Sequence, residues 1–164
     1  MIVAAVEKDG HAIQDITVSA GVFEPAEVET VAELWNEYLQ KGPQTSGYYF
    51  IVYRDGEQVL GYACYGPRAL TEGTYDLYWI AVDRTHHRHG VGQALLRQVE
   101  HEVHYMGGRL IVVETSSLER YAPTRRFYEA SGYLREATLR DFYKPGDDLV
   151  IFTKHLSTDR TDPA

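Results

Sequence analysis

Apolar residues recur along this chain with two spacings, and the switches between them mark out its elements. From Glu27 to Leu39 they fall at helical spacing, with Pro25 just before and Gly42-Pro43 just after as start and stop signals. Tyr48-Tyr49-Phe50-Ile51-Val52-Tyr53 and Val59-Leu60-Gly61-Tyr62-Ala63-Cys64 then read as strands flanking Asp55-Gly56, a hairpin signal. A third apolar run, Tyr75 to Val82, stops at Asp83. Beyond it Val91, Leu95, Val99 and Val103 form one helical stripe with Leu96 beside it, ended by Gly107-Gly108. Leu110-Ile111-Val112-Val113 predicts a buried strand and residues 124–130 a short helix. Strands near 133–139 and 149–154 follow, with Pro145-Gly146-Asp147-Asp148 as the turn between them. At the start, Ile16-Thr17-Val18-Ser19 reads as a first strand behind a variable extension over residues 1–13; residues 158–164 read as a disordered tail. The order β-α-β-β-β-α-β-α-β-β predicts one α/β domain over residues 1–164, built on a mixed, partly antiparallel sheet flanked by helices.

The junction between the third strand and the second helix carries the clearest chemistry. Asp83-Arg84-Thr85-His86-His87-Arg88-His89-Gly90-Val91-Gly92-Gln93 is a cationic, glycine-bearing loop running into a helix N-terminus. Backbone N–H groups at such a place bind phosphate, and glycine lets the main chain approach a ligand closely. A Walker loop is excluded, because Gln93-Ala94 follows Gly92 where Lys and Ser or Thr are required. A dinucleotide fingerprint is disfavoured by Leu95 at its third glycine, although Glu114 closes the next strand where the ribose-binding acid would stand.

Composition narrows the partners. The chain has 164 residues and a formal net charge of −8, so it lacks the clustered cations that nucleic acid binding needs. An acidic surface suits a cationic amine partner. No apolar run approaches the ~20 residues of a membrane span, and the N-terminus is too short for a signal core, so no membrane association and a cytoplasmic location are expected. The one cysteine, Cys64, lies in a strand and reads as a buried structural thiol. Thirteen tyrosines against five phenylalanines is a marked skew that suits a polar pocket or amphipathic core edges.

The loop resembles the acetyl-CoA loop of the GCN5-related N-acetyltransferase (GNAT) superfamily, Q/R-x-x-G-x-G/A, with Gly90 and Gly92 on its glycines and His87 where Gln or Arg is usual. Pro123-Thr124-Arg125-Arg126-Phe127-Tyr128-Glu129-Ala130-Ser131-Gly132-Tyr133 is similar to the family's later motif, A-x-x-F-Y-x-x-x-G-F, with Thr124 in place of Ala and Tyr121 where Asn is usual. The resemblance covers about residues 75 to 135 and implies the GNAT fold, with one further short helix early in the chain that the pattern alone does not place. It implies acetyl-CoA as acyl donor and a primary amine on a small molecule, peptide or protein as acceptor, acetylated by direct transfer. Pantetheine contacts from the main chain at Ile80, Ala81 and Val82 are implied, with pyrophosphate held by the segment His87, Arg88, His89, Gly90, Val91, Gly92 and Gln93. Tyr128 matches the tyrosine that protonates the leaving thiolate or packs beside the cofactor. Asp76 and Glu114 each fall where a branch of the family carries its general base.

Other residues admit two readings. His86, His87 and His89 could present imidazoles to a metal, but the same loop must wrap a pyrophosphate, so cationic phosphate contacts are expected and no metal. Arg125 and Arg126 suit either a cofactor phosphate or a solvated helix face. Tyr143, in Asp141-Phe142-Tyr143, lines an amine pocket or packs on the sheet. A homodimer is compatible with the family, though no residue marks an interface. A noncatalytic acyl-CoA sensor on the same fold, and an acyl donor other than acetyl-CoA, remain as alternatives.

Overall fold

In the computed structural model, which describes residues 1–87 and 89–156, the strands form one seven-stranded sheet in the order β1-β2-β3-β4-β5-β7-β6. The strands are β1 (Ile2–Ala4), β2 (Tyr49–Asp55), β3 (Gln58–Pro67), β4 (Thr74–Val82), β5 (Leu110–Ser116), β6 (Leu134–Lys144) and β7 (Asp147–His155). The helices are α1 (Gly10–Ser19), α2 (Pro25–Ser46), α3 (Val91–Tyr105) and α4 (Ala122–Ala130). All neighbouring strands are antiparallel except β4 and β5. The mixed, partly antiparallel sheet expected from the sequence is therefore present.

Each face of the sheet carries its own core. The α3 stripe of Val91, Leu95, Val99 and Val103, with Leu96, packs on one face against Leu77, Ile111 and Phe152. On the other face Ile13 and Ile16 of α1 and Val31 and Trp35 of α2 pack against Phe50, Val52 and Tyr62. Among the described residues no helix is long and apolar enough to cross a membrane.

The N-terminal expectations require correction. Residues 1–13 are no loose extension: β1 pairs with β2 from Ile2 opposite Tyr53 to Ala4 opposite Ile51, and α1 begins at Gly10. Ile16 to Ser19 is not a strand but the last turn of α1. Its buried residues Ile13, Ile16 and Thr17 repeat at i, i+3 and i+4, the helical spacing that the short β-branched run concealed. The Thr17 hydroxyl donates to the Ile13 carbonyl at 2.7 Å, a bond available only in a helix turn, and α1 is thereby the early helix that the pattern left unplaced. The expected helix over 27–39 extends to Ser46 through a bend at Gly42, where φ is 74°. The expected tail at 158–164 lies outside the described residues.

Burial raises the phenols of Tyr62, Tyr65, Tyr128 and Tyr133 above the ordinary tyrosine range, and Glu102 and Glu100 add to the shift at Tyr65 and Tyr133. Below about pH 10 these groups are neutral in folded and unfolded chains alike. Above it the unfolded chain loses protons that the folded one keeps, so stability falls as pH rises. A series of melting temperatures from about pH 8 to about pH 11 should be level at first and then decline through the tyrosine range. A flat profile to the end would contradict the burial of these phenols.

Candidate functional site

The site begins where the only parallel pair of strands among the described residues separates. The β4–β5 ladder runs from Thr74 opposite Leu110 to Asp76 opposite Val112 and goes no further. Beyond it β4 stays with β3 and β5 with β7, which leaves facing backbone edges with no strand between them. The register of β4 against β3 shifts between Cys64–Trp79 and Tyr65–Leu77, so Tyr78 is an extra residue. This bulge turns consecutive residues Tyr78 and Trp79 toward the same α1–α2 core and bends β4 away from β5. The result is a cleft of about 1380 Å³ that reaches from Phe127 and Tyr128 on one side of the sheet to Val22 and Glu27 on the other.

One end of the cleft is the N-terminus of α3. Gly90 is its N-cap, at φ 77°, a conformation in which a side chain is strained. Gly92 differs: a Cβ there would lie 3.5 Å from Val82 and 3.6 Å from Phe127, ordinary contact distances. Packing therefore does not demand glycine at Gly92. The Ala94 N–H bonds to the Gly90 carbonyl at 2.9 Å, and the donors of Val91, Gly92 and Gln93 precede the first intrahelical bond on the cleft wall. Upstream, Asp83 caps the turn by accepting from the Thr85 hydroxyl and from the Thr85 N–H at 2.9 Å, and the hydroxyl bond above all lowers its carboxyl below the usual range.

The predicted loop residues take different parts. His87 was expected to offer charge to phosphate, but its Nε2–H donates to the Val82 carbonyl at 2.9 Å and ties the loop back to β4. The rings of His86 and His89 meet edge to face, 6.1 Å apart. Arg88 lies outside the described residues. Ile80, Ala81 and Val82 line the cleft along the free edge of β4. Arg125, read above as either a phosphate contact or part of a solvated helix face, donates to the Ser116 and Leu118 carbonyls at 2.7 and 2.8 Å and holds the turn after β5.

Tyr128 sits on α4 among the rings of Phe127, Tyr133 and Phe152, at 5.4, 5.6 and 5.8 Å. It is 3 % exposed, and its hydroxyl makes no hydrogen bond among the described residues. No enclosed side-chain oxygen in the described chain lacks a partner, so this hydroxyl is not fully enclosed, and Tyr128 lines the cleft.

Where the strands part, the two candidate carboxylates share one cation that the sequence reading missed. Arg68, just after β3, grips Asp76 with two N–H donors at 2.8 and 2.6 Å and reaches Glu114 at 3.3 Å. Asp76 is buried in this fork, which raises the guanidinium further, whereas the Glu114 side chain stays 42 % exposed. Opposite them the α1–α2 loop is held across the cleft. The Tyr121 hydroxyl donates to the Val22 carbonyl at 2.9 Å and lies 3.2 Å from a Glu27 oxygen, while Arg120 pairs with Glu24 at 2.6 Å. Tyr121, in place of the usual Asn, is thus a latch; burial and the charge of Glu27 push its phenol up to about 12. Tyr143 lines the same end, also pushed up to about 12 by burial and then by Glu114, Asp147 and Glu27. Contacts such as Arg68–Asp76 and Tyr121–Val22 carry no local motif, which is why the pattern along the chain did not announce them.

The profile of the acetyltransferase (GNAT) family matches residues 12–133. This chain belongs to that family. A GNAT-family protein from Desulfovibrio desulfuricans is 42% identical, with 96% of this chain and 99% of that chain covered and a TM-score of 0.92. The ribosomal-protein-S18-alanine N-acetyltransferase of Escherichia coli shares the fold at 20% identity, with a TM-score of 0.78 over 100% of this chain and 98% of that one. A Salmonella typhimurium protein solved with its cofactor acetyl-CoA also shares it, at 20% identity, with a TM-score of 0.74 over 100% and 97%. No curated protein sequence matches the chain. The split sheet, the bulge in β4 and the glycine-capped α3 are therefore the GNAT architecture, and acyl transfer is the chemistry of the family.

Proposed function

We propose that the protein transfers an acetyl group from acetyl-CoA to a primary amine, directly and in a ternary complex. The observation that carries this reading is the continuity of one cleft from the α3 N-terminus, past Tyr128, to Glu114. When bound, acetyl-CoA supplies a thioester carbonyl for the amine to attack. The residues present suit such a donor. The open N–H groups of Val91, Gly92 and Gln93 favour two phosphates at a helix N-terminus, and the free edge of β4 offers main-chain donors and acceptors to an amide-bearing arm. Among the described residues Cys64, the one cysteine, is buried on β3 with its thiol pushed well up, which leaves no sulfur nucleophile and supports direct transfer.

Glu114 takes the amine's proton, directly or through one water. Asp76 is the poorer base, because both of its oxygens are engaged by the fork of Arg68. It serves as the anchor that aims Arg68 toward Glu114. As the carbon–nitrogen bond forms and the carbon–sulfur bond breaks, Tyr128 donates its hydroxyl proton to the departing CoA thiolate. Glu114→Gln should lower kcat/KM by about 10²-fold, the lower range for loss of a general base. Asp76→Asn should lower the melting temperature with a smaller loss of activity. Equal activity losses in both variants would remove the distinction.

Calorimetric titration with acetyl-CoA, followed by thiol release on addition of amines, tests the reading. Binding with turnover of any amine supports transfer. Binding with no turnover across a broad amine panel would favour the sensor, and absence of binding would overturn the cofactor assignment.

A further inference from the structure

Asp147, the first residue of β7, is 6 % exposed and lies on the wall of the cleft at its acceptor end. Its Oδ1 accepts from the Ser116 hydroxyl. Its Oδ2 takes no donor among the described residues and is not fully enclosed, and Asp147 lines the cleft. A carboxylate removed from water is costly unless a cation or several donors face it. The nearby cations are otherwise engaged or out of reach: Arg68 holds Asp76 and Glu114, Arg120 holds Glu24, and Lys144 forms no salt bridge with Asp147. Asp147 therefore has one hydroxyl on Oδ1 and keeps Oδ2 available to a donor that enters the cleft.

The position of Asp147 relative to the reacting centre is set by β5. Glu114 and Ser116 are two residues apart on that strand and point to the same face, roughly 7 Å apart along it. Asp147, attached to Ser116, thus stands one strand repeat beyond Glu114, with Tyr143 lining the same end. Resting on the acetyltransferase reading above, we propose that the acceptor is a short diamine, one amino group reacting at Glu114 while the second, still an ammonium, is held by Asp147. The charge near Tyr143 agrees, since Glu114 and Asp147 both act on its phenol. Asp147 is then a specificity-determining residue: it sets which amines enter and at what distance the reacting nitrogen sits from their second charge.

The test compares putrescine and cadaverine with butylamine and pentylamine, amines of matched chain length that lack the second charge, after acetyl-CoA binding has been measured. The wild-type protein should prefer each diamine in kcat/KM by about thirtyfold or more, the size expected when one charge of a desolvated pair is removed. Asp147→Asn should bring that ratio to within about threefold, chiefly through KM for the diamine, and Ser116→Ala should reduce it partway. Melting curves and acetyl-CoA affinity of each variant report folding. A residue that only clasps the hairpin to β5 would lower stability and leave the ratio unchanged. Equal turnover of mono- and diamines by the wild type, failure to turn over either diamine despite acetyl-CoA binding, or an unchanged ratio in a folded Asp147→Asn protein would each overturn the proposal. Failure to bind acetyl-CoA at all would instead remove the reading beneath it.

Discussion

Gly92→Glu should remove acetyl-CoA binding and leave the protein at least as stable as before. The two effects have opposite signs because the new side chain acts on two different partners. For the helix, glycine at the second position of α3 is replaced by a better helix former, and a carboxylate near a helix N-terminus interacts favourably with the dipole. The added Cβ meets Val82 and Phe127 at 3.5 and 3.6 Å, so nothing in the core must move. For the ligand, the same carboxylate occupies the ground over the open N–H groups and sets a negative charge against negative phosphates. Losing two charge-assisted hydrogen bonds costs about 3–6 kcal/mol, roughly 10²- to 10⁴-fold in affinity, before repulsion is added. Gly92→Ala, with only the Cβ, should show a much smaller loss. Titration calorimetry and melting curves on the three proteins separate these effects. Unchanged affinity in a folded Gly92→Glu protein would withdraw the loop as the phosphate site.

The parts of this fold legible in the sequence are those whose signal is local and regular. The stripe on α3, the Asp55-Gly56 turn and the glycines ahead of α3 each lie within a few residues of one another, and the structure places them where the pattern did. The first segment went astray because Ile16-Thr17-Val18 is a β-branched run, and propensity was weighed above the buried spacing that begins at Ile13. β1 was passed over because a three-residue edge strand carries too little alternation to be seen. In the candidate site the glycine-bearing loop and the helix it opens were legible, because their signal is a short motif. Around Asp76, Glu114 and Tyr143 single residues were legible, but not the contacts that join them. There Arg68 meets Glu114 across 46 residues, Ser116 meets Asp147 across 31, and Tyr121 meets Val22 across 99. Residue type along the chain likewise does not show that the His87 imidazole bonds the Val82 carbonyl.

Tyr128→Phe should separate the chemical role of the hydroxyl from the packing role of the ring. The phenylalanine ring keeps the contacts with Phe127, Tyr133 and Phe152, and the lost hydroxyl leaves no unsatisfied partner among the described residues. Stability and acetyl-CoA affinity should therefore change little, affinity by less than about threefold, well under one charge-assisted bond. The rate should not be spared. Burial holds the phenol protonated beyond the ordinary tyrosine range, so at any working pH its Oη–H is present as a donor. Removing a positioned proton donor lowers kcat by about 10²- to 10⁴-fold. The sign of the shift adds a second readout: a raised phenol cannot be the group that titrates at moderately alkaline pH. Any alkaline limb in the wild-type kcat profile should therefore persist in Tyr128→Phe at lower amplitude. A ring that only binds would give the reverse pattern, weaker acetyl-CoA affinity with kcat intact, and a noncatalytic sensor would lose neither.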